Sequence, residues 1–297
     1  VSRADQTVTL LSDELSADVA VRGAELTWLD DALGNSYLWN GDPAFWSGRA
    51  PLLFPIVGTL CGSVYRHHGK TFALPRHGFA RTSVFTVVDR STTHATLRLE
   101  ASEATRAVWP FEFRLDVTHA IVGRRLETTA VVTNLGDEPM PVSFGFHPAF
   151  RWPLPYGGPR ADHHIRFARP EPAPIRRLDE NGCLRPEPLP TPVVGDTLAL
   201  DDALFRDDAV IFDHPASRSL TYESSEGARL IVDFESMPHL AVWTKPGAGF
   251  VCIEPWQGHA DPAGFTGELS AKPGILSLAP NASRCFAMSI TLEIREP

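Results

Sequence analysis

Three short stretches put ionisable side chains among glycines, prolines and aromatic rings. They are Leu74-Pro75-Arg76-His77-Gly78-Phe79-Ala80-Arg81, Ser143-Phe144-Gly145-Phe146-His147-Pro148-Ala149-Phe150 and Val251-Cys252-Ile253-Glu254-Pro255-Trp256. In the last two, one polar side chain follows an apolar run and precedes a proline. Proline cannot donate to a β-ladder, so it marks a strand end or a bulge. Functional residues concentrate at such places and in the loops after them. A histidine between Phe146 and Pro148 is poorly solvated. It is either a structural ring bonded to backbone or a proton-transfer group. Glu254 follows Val-Cys-Ile, and a carboxylate buried there needs a partner or its pKa rises. A raised pKa suits a general base working near neutrality. An edge-of-sheet salt bridge is the plainer role for Glu254, and both readings stay open.

Other constellations carry less. His67-His68 and His163-His164 are adjacent pairs, and neighbours on a strand point to opposite faces, so neither pair is expected to share a metal ion. His259 and Asp261 could face one side but lack a third ligand at readable spacing. No metal site is expected. Ser143 lies close to His147, but no G-x-S-x-G follows a strand, and a serine-hydrolase triad is unsupported. No G-x-G-x-x-G or G-x-x-x-x-G-K follows a strand either, and no nucleotide cofactor is expected.

The elements that must position these residues are strands. Residues 111–117 alternate apolar and charged without a break, the mark of a half-buried strand in an antiparallel sheet. Residues 96–100 and 125–131 read similarly, and 84–88, 209–212, 230–234 and 288–294 are shorter β-rich candidates. Gly23, Gly34, Gly69, Gly123, Gly136 and Gly227 fall between such runs as turn glycines. Only residues 102–108 suggest a turn or two of helix. Strand after strand leads to a sandwich or barrel, not to alternating β/α units. The chain of 297 residues reads as one domain, since all-β domains reach that size. Seven prolines fall between residues 169 and 192 and exclude the middle of a sheet. That segment is expected to be a long surface excursion.

Composition excludes several classes. A formal charge of -9, with no basic run or finger-like Cys/His spacing, counts against nucleic acid and against an anionic membrane surface. No run of 18 apolar residues is present, so no membrane span is expected. Cys61, Cys183, Cys252 and Cys285 form no C-x-x-C pair and read as scattered thiols of a reducing, cytoplasmic compartment, with one or two disulfides as the other option. Residues 1–5 contain no apolar signal region. The sequence carries no signal for an oligomeric state.

Taken in order, the motifs resemble the aldose 1-epimerase (galactose mutarotase-like) superfamily, closest to its shorter bacterial, LacX-like branch. The likeness spans nearly the whole chain. Gly23-Ala24-Glu25-Leu26 with Tyr37-Leu38-Trp39 is similar to the family's N-terminal strand pair. Ala50-Pro51-Leu52-Leu53-Phe54-Pro55-Ile56-Val57-Gly58 is similar to its next stretch. Gly69-Lys70, His77-Gly78-Phe79-Ala80-Arg81, the 143–150 run, Leu204-Phe205 with Asp208-Ala209, and residues 250–256 follow in the family's order. The resemblance implies an all-β, large antiparallel β-sandwich (the galactose mutarotase-like supersandwich) holding a monosaccharide on its concave face. It implies Glu254 as catalytic base, His147 as catalytic acid and His77 as a second histidine near the sugar ring oxygen. Asp208 matches the aspartate that holds sugar hydroxyls, with Asp202 as its rival. Arg81, Trp46 and Trp243 are expected to bind substrate, and Trp256 could also stack on the sugar. Thr59 stands where the family carries an arginine, and Arg81 or Arg66 are the cations that could replace it. The implied activity is interconversion of the α and β anomers of a hexose without metal or cofactor. A hexose-6-phosphate 1-epimerase, with Arg66, Arg76, Arg81 and Lys245 as phosphate candidates, and a non-catalytic sugar-binding protein of the same fold are the alternatives.

Overall fold

The alternation expected at 111–117 runs further than its charged part. In the computed structural model, which describes residues 6–294, the strand is Phe113–Val122, with Phe113, Leu115, Val117, His119 and Ile121 buried and the residues between them more exposed. His119 keeps the pattern although it is polar. Its two ring nitrogens bond the Ala24 carbonyl and the Thr128 hydroxyl, each at 3.0 Å. A turn at Gly123-Arg124 returns the chain into Arg125–Asn134, which pairs on its other side with Ser283–Ile294. These three long strands lie within a nine-stranded antiparallel sheet. Its order is Thr197–Ala199, His164–Phe167, Ser219–Glu223, Ala228–Asp233, Ser283–Ile294, Arg125–Asn134, Phe113–Val122, His94–Glu100, Thr86–Arg90.

A second sheet faces it. Its order is Val210–Phe212, His239–Trp243, Phe250–Gln257, Phe144–Phe146, Leu52–Leu53, with Ala149–Arg151 also paired to Phe250–Gln257. Side chains alternate across a strand, and here the alternation separates core from site. Leu52, Phe54, Phe144, Phe146, Val210, Phe212, Leu240, Val242, Val251 and Ile253 join the main core between the sheets. Phe144 stacks on Phe286, and Phe167 of the large sheet meets Phe212 of the small one. The intervening Leu53, Ile211, Ala241 and Trp256 form a separate cluster on the outer face of the small sheet. Glu254 shares that outer face because it lies two residues from Trp256. The fold is therefore the expected antiparallel β-sandwich, about 45% strand and 8% helix.

Three smaller units complete it. Thr7–Leu11, Leu15–Ala20 and Leu26–Asp31 form a three-stranded sheet, Met140–Val142 pairs with the sequence-distant Leu276–Leu278, and Val64–His67 forms a hairpin with Lys70–Ala73. The helical stretch near 102–108 is Glu103–Val108. Ser102 Oγ accepts from the Thr105 N–H while Thr105 Oγ1 accepts from the Ser102 N–H, a capping box. Among the described residues no helix is long and apolar enough to cross a membrane. Residues 1–5, read for a signal region, lie outside the described residues.

The proline-rich segment is tied down along its length. Ile175, Arg177, Leu178, Cys183 and Leu184 are buried. Bridges link Arg176 to Ile211 and Leu184 to Pro262. The Arg177 guanidinium donates to the carbonyls of Leu204 and Asp208, both at 2.7 Å. The segment thus covers the edge strand Val210–Phe212 and forms a wall of the outer-face cavity, since Leu178 lines that cavity.

Candidate active site

A cavity of about 240 Å³ opens on the outer face of the small sheet. Trp46, Arg76, His77, Arg81, His147, Asp208, Trp243, Glu254 and Trp256 line it, with Gly58, Leu178 and Ala260 among its apolar wall. The three tryptophans and the four ionisable residues that the resemblance singled out beside Arg81 are therefore gathered in one place. Asp202, the rival aspartate, is engaged elsewhere. Arg160 clamps it with two hydrogen bonds of 2.9 and 2.7 Å, and the Gly247 N–H adds a third.

Glu254 and His147 meet at the floor. Glu254 lies in Phe250–Gln257, where every residue is buried, and is 1% exposed. His147 follows Phe144–Phe146 directly and is 8% exposed. Its Nε2 is 3.1 Å from Glu254 Oε2. The contact is close but not aligned as a hydrogen bond, and Glu254 Oε2, His147 Nδ1 and Trp256 Nε1 are all buried without an aligned partner. Burial pushes Glu254 well above the carboxylate range, opposed by the Arg76 guanidinium. Burial also holds the His147 imidazole down to about 3, helped by Arg76 and Arg81. For His147 to rest protonated as an acid, the neighbouring carboxylate would have to outweigh desolvation. Desolvation prevails for both groups, so each favours its neutral form and the pair carries one proton.

His77 is held by two bonds to one glycine. Its N–H donates to the Gly58 carbonyl at 2.9 Å, and its Nδ1 accepts the Gly58 N–H at 3.1 Å. With Nδ1 accepting, a neutral ring carries its proton on Nε2. Neutral it is, since burial, then His147 and the two arginines, push its pKa well below the ordinary value. The ring stands edge-on to His147, 5.7 Å between centroids. This geometry needs a left-handed backbone at both His77 (φ 68°) and Gly78 (φ 71°). A Cβ at Gly78 would meet the Phe54 carbonyl oxygen at 2.3 Å, so glycine is required there.

The aromatic walls come from loop and strand. Trp46 stacks on His147 at 4.9 Å and meets Trp243 edge-on at 5.6 Å. Its loop is fixed by the Trp39 indole N–H donating to the Trp46 carbonyl (2.7 Å) and by the Arg49 guanidinium donating to the Asn40 carbonyl (2.7 Å). Asp208 sits at φ 64° and accepts its own neighbour's N–H, from Ala209, at 2.7 Å. Arg76 Nη2 lies 4.0 Å from Asp208 Oδ2.

The cations differ from expectation. Arg66 is paired with Glu268 at 3.9 Å and belongs to a different cavity. Lys245 Nζ lies by the carbonyls of Ala44 and Phe45. Arg76, considered only as a phosphate ligand, joins Arg81 in the lining. Thr59 Oγ1 lies against Gly182 of the proline-rich segment, 2.8 Å from where a Cβ would stand there. The position of the absent arginine therefore faces that wall.

The histidine pairs behave differently from one another. His163 is buried and used by backbone: its Nε2 accepts the Leu154 N–H and its Nδ1 donates to the Pro159 carbonyl. His164 lies near Glu223 instead. His67 and His68, by contrast, come together. His67 ends its strand, but His68 begins a two-residue turn at φ 49°, so strand alternation stops one residue early. The rings stack at 4.1 Å, with Glu138 oxygens 3.5 and 3.8 Å away. Ligand-type atoms of these three residues lie within 4.8 Å of one another, as do those of His147, Cys252 and Glu254. His259 and Asp261 serve separately: His259 Nδ1 donates to the Ala260 carbonyl, and Asp261 pairs with Lys272.

Comparison with known proteins places these features in a family context. Residues 6–271 match the family described as aldose 1-epimerase. The chromosomal LacX protein of Lactococcus lactis subsp. lactis is 33% identical, over 96% of this chain and 99% of that protein. A galactose mutarotase-like protein from Lactobacillus casei has a solved structure with TM-score 0.90 and 29% identity, covering 97% of this chain and 100% of that one. The structure of a galactose mutarotase related enzyme from Lactobacillus acidophilus gives 0.88 at 29% identity, over 97% of both chains.

Proposed function

The chain belongs to the aldose 1-epimerase family, and from that premise we propose that it is a mutarotase interconverting the α and β anomers of a neutral hexose. The observation that carries the reading is the buried His147–Glu254 contact of 3.1 Å inside a tryptophan-walled cavity. The two oxygens that exchange a proton in this reaction sit on one carbon, so acid and base must lie within a few ångströms of each other. A binding protein has no need for that arrangement.

Glu254 takes the proton of the C1 hydroxyl. The bond from C1 to the ring oxygen breaks, its electron pair goes to that oxygen, and His147 supplies the proton there. C1 becomes an aldehyde carbon. Rotation about C1–C2 presents its other face, and closure reverses both transfers. His77, with Nε2–H free to donate, stabilises charge on the ring oxygen. Asp208 accepts from sugar hydroxyls, Arg81 donates to sugar oxygens, and the faces of Trp46 and Trp243 cover the C–H surface of the ring. Positioned proton transfer of this kind contributes roughly 10²–10⁴-fold. It uses the protein's own groups throughout. A cytoplasmic setting is proposed with it, on the free thiols.

A hexose 6-phosphate is the second reading, favoured by Arg76 and Arg81 both lining the cavity. Asp208 stands against it, because its carboxylate beside Arg76 would repel a phosphate. Anomer exchange followed by polarimetry or NMR over glucose, galactose and glucose 6-phosphate, with and without chelator, tests the proposal. We expect higher kcat/KM on the neutral sugars and no loss to chelation. A clear preference for the phosphate moves the assignment to the second reading. Loss restored by a divalent ion would assign a metal to His147, Cys252 and Glu254.

A further inference from the structure

Cys61 and Cys183 are 122 residues apart in sequence, yet their sulfur atoms lie 2.6 Å from each other. The segments that carry them are anchored to one residue. The Cys61 N–H donates to Asp261 Oδ2 at 2.9 Å, and the Leu184 N–H, next to Cys183, donates to the Asp261 carbonyl at 2.7 Å. Asp261 is itself fixed by the fully buried Lys272 ammonium at 3.2 Å. On the other side, Cys183 closes a turn with Asp179, donating its N–H to Asp179 Oδ1 at 2.9 Å. The two thiols differ in access. Cys183 is 2% exposed, whereas Cys61 is half-buried and lines a second cavity of about 280 Å³ with Tyr65, Arg66 and Phe265.

We propose that Cys61 and Cys183 are a thiol pair that oxidises reversibly to an intrachain disulfide, with the second cavity as the entry for a small disulfide oxidant such as oxidised glutathione. Cys61 reacts first. It lines the cavity by which the oxidant enters, whereas Cys183 is 2% exposed and its thiol is pushed up to about 12 by burial and by its neighbour. The Cys61 thiolate attacks one sulfur of the oxidant, and the other sulfur leaves as a thiolate that takes up a proton. Cys183 then loses its proton and attacks Cys61 Sγ, expelling the second glutathione as its thiol. Two protein thiols and one disulfide become one protein disulfide and two small thiols, with two electrons passing to the oxidant. The new bond joins the strip Gly58–Cys61 to the strip Leu178–Cys183. Gly58 and Leu178 both line the sugar-sized cavity, so oxidation ties two of its walls together.

The test uses the whole chain and does not involve sugar turnover, so its outcome is independent of the mutarotase reading. Protein incubated with oxidised glutathione is denatured, alkylated and mapped by mass spectrometry. Cys61 and Cys183 should become unavailable to the alkylating reagent and appear as one cross-linked peptide pair. The melting temperature should rise by roughly 5 °C, as expected for a cross-link across a long loop, and fall back on reduction. In Cys183→Ser, Cys61 should hold glutathione as a stable adduct with no rise. In Cys61→Ser, Cys183 should stay unmodified. Full alkylation of both thiols after oxidation, a stable glutathione adduct on Cys61 of the unsubstituted protein, or a bond to Cys252 or Cys285 would each overturn the proposal.

Discussion

His147 and Glu254 are held 3.1 Å apart where charge on either is disfavoured. The consequence for pH dependence can be worked out from the pair as a unit. Below about 3 the pair holds two protons, because the imidazole then charges beside a protonated carboxyl. Well above the ordinary carboxylate range Glu254 releases the last proton. Between these limits one proton is shared. The carboxylate–imidazolium form that reacts is a fixed fraction of that population, so its abundance follows the one-proton state. We therefore expect a broad bell for kcat/KM, flat through pH 5–7, whose alkaline limb reports Glu254. A sharp fall between pH 7 and 6, typical of an ordinary histidine near 6.5, would contradict the burial argument. Glu254→Gln and His147→Asn should each lower kcat by at least about 10²-fold while circular dichroism stays unchanged. Near-full activity in a folded Glu254→Gln would remove that residue as the base and turn attention to Asp208.

At the scale of elements, the site depends on a few backbone approaches that no side chain larger than hydrogen allows. Gly78→Ala puts a methyl 2.3 Å from the Phe54 carbonyl, at φ 71°. The Phe54 oxygen also accepts from the N–H groups of Phe79 and Ala80, so relief must shift the loop that presents His77. We expect a loss of about 1–3 kcal/mol, read as a lower denaturant midpoint at constant m-value, together with a reduced kcat. An unchanged midpoint would show that the loop yields without strain. How much of this was legible varies with the range of the interactions. Period-two alternation revealed the strands because each residue's face follows from its own position. The alternating run read at 111–117 stops short of His119, whose burial depends on distant bonds to Ala24 and Thr128. His147 and Glu254 stood out because a proline follows each. Leu178 did not, since the wall it forms is set by Arg177 reaching the carbonyls of Leu204 and Asp208. His68 was misplaced because strand periodicity was carried one residue into a turn that Gly69 makes possible.

Across the whole molecule, burial of imidazoles ties stability to pH. His77, His119, His147, His163, His239 and His259 all have depressed pKa values with burial as the leading cause, His119 and His259 to about 4 and His147 to about 3. The unfolded chain protonates these groups near 6.5. A depressed pKa contributes stability that is complete above the unfolded value and is lost as pH falls toward the folded one. At pH 5 each of His119, His147 and His259 has given up roughly 2 kcal/mol, from about 1.4 kcal/mol per pKa unit. Even a few of them together rival the 5–15 kcal/mol of a typical domain. Glu254 has the opposite sign. Its raised pKa favours the fold below the unfolded carboxylate value and costs stability as pH rises. The histidines outnumber it, so the denaturant midpoint should fall steadily from pH 7 to pH 5, with a slope corresponding to uptake of several protons on unfolding. A midpoint flat over that range would mean that the imidazoles are charged in the folded state. The same balance separates catalysis from stability at one residue. Glu254→Gln removes a buried carboxyl that the unfolded chain ionises freely at pH 7, and with it the cost of keeping that group dry. The variant should lose activity and gain stability, with its midpoint above that of the unsubstituted protein at pH 7 and the two converging toward pH 5. A variant less stable at pH 7 would show instead that the carboxylate is charged and paired with His147 in the resting site. The neutral form of the pair would then have to be abandoned.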